Sequence, residues 1–101
     1  MQVTGYPHGQ GGLGLRVRLA DRDRFFDRGW RNVVLDISGH RVITVSVSDS
    51  FWQQCPELRS NEIGRWLQQS GLAPWPKGKP PKIQMEHAYG NRFEVTLPDP
   101  P

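Results

Sequence analysis

The sequence predicts an α+β fold with about five mostly antiparallel strands, one main helix and one short helix. Two observations lead to this prediction: two pairs of alternating apolar segments, each joined by a Gly-containing turn, and one segment with apolar residues at helical spacing. The pairs predict two hairpins, and a further alternating segment nearer the N-terminus adds a strand. The length of 101 residues fits one domain.

The N-terminal strand is predicted over residues 13–19, where leucine and valine alternate with glycine and arginine. This alternation places Arg16 and Arg18 together on the outer face of the strand. Residues 1–12 are rich in glycine and show no periodicity, so we expect them to form a flexible arm.

A short helix over residues 22–28 should follow, with Asp21 as its N-cap and Gly29 at its end. The clearest hairpin comes next. Residues 31–37 and 41–48 alternate apolar and polar positions on either side of a three-residue turn that contains glycine.

The main helix is predicted from residue 57 or 60 to residue 70, because Ile63, Trp66 and Leu67 fall on one helical stripe and a glycine follows. Asp49 or Ser50 starts a separate short element before it. The Cys55-Pro56 pair should interrupt that element, since proline disfavours helical backbone at the preceding residue.

The last hairpin pairs residues 83–85 with residues 93–97 around a turn at 88–91. The proline-rich tail at 98–101 cannot continue a strand ladder. The predicted domain therefore covers residues 13–97, between the arm and the tail.

Composition narrows the classes of function. The net charge is +3 and there is one cysteine, so no intramolecular disulfide forms. The N-terminus lacks the pattern of a secretory signal, and no apolar stretch approaches the ~20 residues that cross a bilayer. We expect a soluble cytoplasmic protein with no membrane partner.

Residues for catalysis or metal binding are sparse. The three histidines lie far apart and no group of side chains has the spacing of a metal site. No pair of acids has the spacing of a catalytic dyad. We therefore expect a non-enzymatic binding module without metal or cofactor.

The segment from 75 to 82, named here the lysine loop, concentrates positive charge. It contains no acid, and it holds one tryptophan and every lysine of the chain. These residues are Trp75, Lys77, Lys79 and Lys82. Prolines limit its collapse onto the surface, and lysines this close repel each other unless an anion lies among them. We expect the lysines to contact the phosphates of a nucleic acid and Trp75 to stack on a base. The alternative is a solvated connector whose tryptophan fills the core.

Further residues extend the expected nucleic-acid site. Arg92 would contact phosphate, and Tyr89 at the hairpin tip would stack on a base. Arg16, Arg18, Arg31 and Arg41 would form a basic stripe if the strand edges that carry them lie side by side. Otherwise they form ordinary surface ion pairs with Asp21, Asp23, Asp36 and Glu57.

Two other functions fit the same sequence. One is a protein-interaction or homo-oligomerising module that uses exposed aromatic residues and a free strand edge. The other, with weaker support, is a small-ligand binder. Its pocket would lie between helix and sheet and would be lined by Phe51, Trp52 and Trp66.

Overall fold

A computed structural model of the chain describes residues 1–8, 12–37, 41–53 and 56–96. Within these ranges the chain forms one seven-stranded mixed sheet and three helices. The α+β class is confirmed, but the prediction of about five strands is wrong in detail. The turn predicted at 38–40, Cys55 and the tail at 98–101 lie outside the described residues.

The elements follow one another along the chain as strands and short helices. The strands are β1 (Gln2–His8), β2 (Gly12–Arg16), β3 (Asn32–Ile37), β4 (Arg41–Ser46), β5 (Glu57–Arg59), β6 (Lys82–Tyr89) and β7 (Arg92–Thr96). The helices are α1 (Leu19–Phe25), α2 (Asp49–Gln53) and α3 (Asn61–Gln69).

The strands lie side by side in the order β4-β3-β7-β6-β1-β2-β5. The β3–β4 and β6–β7 pairs are the two predicted hairpins. All neighbours are antiparallel except β3 and β7, which run parallel and join the two hairpins. Cα atoms of the edge strands β4 and β5 come within 8 Å of each other, so the sheet curls strongly.

β1 corrects the prediction of a flexible arm over residues 1–12. Residues 2–8 form a strand between β6 and β2. The apolar alternation of β1 was hard to recognise because Gly5 has no side chain. A glycine suits this position because Pro81 lies against it. A Cβ at Gly5 would lie 2.8 Å from Pro81 Cγ, and the Gly5 N–H donates to the Pro81 carbonyl at 2.9 Å.

β5 is the second strand that the sequence did not predict. It comes directly before α3, in a segment where the sequence allowed the helix to start at residue 57 or 60. Extended backbone continues through Ser60, whose hydroxyl accepts a hydrogen bond from the Glu62 N–H at 3.1 Å and caps α3. The later of the two predicted starts is therefore the better one.

The two short helices differ in how well they were predicted. α1 starts at Leu19, three residues before the predicted position, so Leu19 leaves the predicted N-terminal strand. Asp21 lies in the first turn of α1 and is not its cap. α2 begins at Asp49, the earlier of the two predicted starts.

The core lies on the inner face of the curled sheet. Alternate residues of the strands face inward, while α3 adds Ile63, Trp66 and Leu67, as its stripe predicted. Phe26, just after α1, stacks on Phe93 with ring centroids 4.7 Å apart. The other strand face carries the polar side chains and forms the outer surface of the sheet. No helix in the described part of the chain is both long and apolar enough to span a bilayer.

Candidate nucleic-acid interface

The lysine loop is anchored at both of its ends. Trp75 is half-buried and packs against the core, close to the inner side of Gly5. At the other end Pro81 is tied to Gly5 by the backbone hydrogen bond described above. Trp75 thus fills space beside the core, as the alternative interpretation of this residue expected, and it also holds the loop in place.

The middle of the loop projects outward. Lys77 and Lys79 are exposed and flank Gly78, whose φ of 79° belongs to the left-handed region. The Lys79 N–H donates to the Pro76 carbonyl at 2.9 Å and closes the turn. Across residues 1–8, 12–37, 41–53 and 56–96, neither these lysines nor Lys82 forms a salt bridge. Their charges are therefore available to an external anion.

Lys82 begins β6 and shares the outer surface with Arg16 of β2 and with Arg18, which follows β2. Thr4 of β1 pairs with Lys82 on one side and with Arg16 on the other, so all three side chains lie on the same face. Two strand spacings separate Lys82 from Arg16, or about 10 Å. Arg18 lies on the same face, because its Nη2 donates to Gln2 Oε1 at 3.0 Å.

Arg59 of β5 completes this group of cations. Its Nη2 donates to Glu57 Oε2 at 2.8 Å, while Arg16 Nη2 donates to Glu57 Oε1 at 2.9 Å. The outer surface of β6, β1, β2 and β5 thus carries four cations, two of which pair with one carboxylate. We name this surface the basic face and define its cations as Arg16, Arg18, Arg59 and Lys82.

Glu57 organises the basic face. Its side chain is only 5% exposed, although it lies on the outer surface, because the two arginines cover it. Burial alone would raise the pKa of Glu57. Hydrogen bonds from Arg59, Tyr6 and Arg16 outweigh burial and lower the pKa from 4.5 to about 2. Glu57 is therefore a carboxylate at neutral pH, and it holds both guanidinium groups in place.

Tyr6 of β1 contacts both arginines of this network. Its hydroxyl accepts a hydrogen bond from Arg59 Nε at 2.9 Å, and the Arg16 guanidinium lies 5.0 Å from the centre of its ring. Burial and the hydrogen bond to Glu57 raise the pKa of Tyr6 to about 12. The hydrogen bonds to Glu57 and Tyr6 in turn raise the pKa of Arg59.

Arg92 and Tyr89 are not brought to this surface. Tyr89 and Lys82 stand at opposite ends of the eight-residue strand β6, roughly 23 Å apart at the usual strand rise. Arg92 pairs with Tyr89 in the β6–β7 hairpin, and its Nη2 contacts Asp36 Oδ2 at 2.9 Å. That hydrogen bond to Asp36 raises the pKa of Arg92.

The surroundings of Arg92 are acidic. Glu94 of β7 pairs with Asp36 of β3 on one side and with Glu86 of β6 on the other, so three carboxylates share the outer surface there. The outer surface is therefore divided into a basic half and an acidic half. The six residues predicted from the sequence as one site fall into two groups, and the lysine loop alone joins the basic half.

Three members of the basic face were not predicted as site residues. Tyr6 lay in the segment interpreted as an arm. Glu57 was considered as one of several ion-pair partners for the arginines, and its pairing with Arg16 is observed. Arg59 belongs to a strand of three residues, which is too short to show a reliable alternation.

A groove lies on the other side of the sheet, between α3 and the β1–β2 pair. Its wider part has a volume of about 410 Å³ and continues into a part of about 240 Å³. Leu13 and Gln68 line both parts. The wider part is also lined by Pro7, Ala73, Pro74 and Trp75. The residues predicted to line a pocket do not line this groove: Phe51 and Trp66 are buried in the core, and Trp52 is partly buried against it.

No group of three or more metal-binding side chains occurs among the residues that the structure describes. Comparison with protein-family models, with curated proteins and with solved structures finds no match to this chain.

Proposed function

We propose that this domain binds nucleic acid through the lysine loop and the basic face together. The observation that carries the proposal is the strand register that places Lys82 and Arg16 on either side of Thr4. Through this register the loop, which stood out in the sequence, becomes continuous with the arginines of β2 and β5. The loop and the basic face together then carry six cations, and Glu57 pairs with two of them.

The chemistry of this surface suits a phosphate backbone. Arginine presents a planar set of N–H donors, and Arg16 and Arg59 each use only part of theirs on Glu57 and Tyr6. Because Glu57 already orders both guanidinium groups, less side-chain freedom is lost when an anion binds. The acidic half would repel a polyanion and so restrict it to the basic half.

The proposal is one of binding without catalysis. Glu57 is the acid at the centre of the cluster, and it is buried and held as a carboxylate. A general acid or base works best with a pKa close to the ambient pH, and the pKa of Glu57 lies far below neutral pH.

The alternative of a protein-interaction or homo-oligomerising module has less support. The edge strands β4 and β5 turn toward each other, and β5 has only three residues to offer a partner strand. Among the residues that the structure describes, the exposed large apolar side chains lie on three different elements: Leu19, Val42 and Tyr89.

The test is a binding titration by fluorescence anisotropy with a labelled 20-nucleotide DNA or RNA at 50 and 200 mM salt. If all six cations contact phosphates of a single strand, the logarithm of affinity should fall with the logarithm of salt with a slope of about −4. That slope corresponds to a loss of a few hundredfold between the two salt concentrations. Absence of binding at 50 mM salt would refute the proposal.

Matched double variants locate the surface. Arg18→Gln with Lys82→Gln removes two cations of the basic face and should reduce the salt slope by about 1.4. Arg24→Gln with Arg31→Gln removes the same charge from exposed positions outside it and should leave the slope unchanged. Equal effects of the two pairs would show that only net charge matters.

A further inference from the structure

The groove between α3 and the β1–β2 pair adjoins the lysine loop through Trp75. This residue lines the wider part of the groove and is also the first residue of the loop, whose last residue, Lys82, lies on the basic face. The loop thus connects the basic face with the groove.

The groove combines apolar walls with few polar groups. Pro7, Leu13, Pro74 and the Trp75 indole supply the apolar surface, and Gln68 supplies an amide that can both donate and accept hydrogen bonds. Its volume of about 410 Å³ is at the lower end of the range for ligand pockets, which suits a flat group of modest size.

From this arrangement we infer that the nucleic acid is single-stranded and that one unpaired base enters the groove. This inference rests on the proposed function and specifies the class of ligand. The phosphates follow Lys77 and Lys79 along the loop, while the base lies against Trp75 and its polar edge meets the Gln68 amide. Arg65, which lines the narrower part, is placed near the next phosphate.

The reason for a single strand is physical. In a duplex the bases are paired and stacked, so none can enter a groove unless it is first extruded at a cost of a few kcal/mol. In a single strand the bases are free, and stacking on an aromatic side chain adds to the attraction of the backbone by the cations. Charge complementarity at the loop and an apolar groove beside it are the two parts that this mode of binding requires.

The experiment compares three labelled probes of equal length: a single strand, a duplex and a single-stranded abasic phosphodiester. The wild-type chain should bind the single strand about 5- to 100-fold more tightly than the abasic probe, the range expected for one stacked base. The duplex should bind no more tightly than the abasic probe.

Variants of the groove give a second readout. Gln68→Leu keeps the side-chain size at an exposed position, and Trp75→Leu removes the ring; each should weaken single-strand binding several-fold and leave abasic binding unchanged. Gln69→Leu is the matched control, because Gln69 is on the same helix but accepts a hydrogen bond from Arg41 at 2.7 Å outside the groove. Should Trp75→Leu fail to fold, Gln68→Leu still decides.

The outcomes separate the two proposals. Equal affinity for the three probes would overturn the single-strand inference and leave nucleic-acid binding in place. The single-strand inference would also be overturned if an acidic proline-rich peptide occupied the groove in a Gln68-dependent way while base identity and strandedness had no effect on nucleic-acid binding. Failure of all three probes to bind would overturn both.

Discussion

Replacing Glu57 with glutamine should destabilise the protein far more than is usual for a substitution on the outer surface of a sheet. The carboxylate is almost fully buried and accepts hydrogen bonds from Arg16 and Arg59. A pKa lowered from 4.5 to about 2 corresponds to about 3 kcal/mol of unfolding free energy at neutral pH, since each tenfold change in an equilibrium constant is about 1.4 kcal/mol. We expect Glu57→Gln to lower the unfolding free energy by about 2–3 kcal/mol at pH 7. The loss stays below that of a fully buried ion pair, because the two half-exposed arginines can regain water.

The pH dependence gives this prediction its sign. The folded state holds the proton of Glu57 less tightly than the unfolded state, so the contribution is fully present above the unfolded pKa of 4.5. It is lost as the pH falls toward 2. The difference in unfolding free energy between wild type and Glu57→Gln should therefore shrink to about 1 kcal/mol by pH 3.

The assay is urea unfolding followed by tryptophan fluorescence at pH 7, 5 and 3. Glu86→Gln is the control: Glu86 is exposed and faces Glu94 across the β6–β7 pair, so its loss should change stability by less than about 0.5 kcal/mol. The reasoning would be refuted by a Glu57→Gln variant as stable as wild type at pH 7. A difference that stays constant down to pH 3 would contradict the pKa argument.

Four further predictions follow from the same geometry. Glu57→Gln should bind a single-stranded oligonucleotide several-fold more weakly in the anisotropy assay, although it removes a negative charge; tighter binding would show that Glu57 does not position the arginines. Gly64→Ala should raise the unfolding free energy by about 0.5–1 kcal/mol in urea titrations, because its Cβ would lie 3.7 Å from the nearest side chain, an ordinary contact. Gly5→Ala should lower it by about 1–3 kcal/mol, because the Pro81 ring lies 2.8 Å from the new Cβ; an unchanged value would mean that the ring shifts at no cost. The raised pKa of Tyr6 predicts that wild-type stability is fully present below pH 10 and declines as the pH rises toward 12, a decline that Tyr6→Phe should reduce when unfolding is compared at pH 8 and pH 11.

The division of the outer surface shows how a modest net charge can still support a polyanion site. The whole chain carries only +3. The acids Asp36, Glu86 and Glu94 lie together on one half, and on the other half Glu57 pairs with two of the four cations of the basic face. A local field of this kind depends on which strands are neighbours, so net charge alone says little about it.

The sequence by itself determined the elements whose signals are local. Both hairpins follow from period-two alternation, and α3 follows from its apolar stripe and the glycine after it, because side-chain periodicity and helix-ending signals act over a few residues. The lysine loop was also evident, since clustering of charge along a chain needs no fold to be seen. β1 escaped because Gly5 removes a side chain from the alternation, and the reason for that glycine is Pro81, distant in sequence.

Only the tertiary structure decided which of these elements are neighbours. The order of strands placed β1 between β6 and β2, and so set Lys82 near Arg16 while carrying Arg92 and Tyr89 to the far end of the sheet. Strand order depends on the packing of all apolar faces at once, and one sequence leaves many arrangements open. For this reason the charged residues could be named from the sequence, whereas the surface that they form could not.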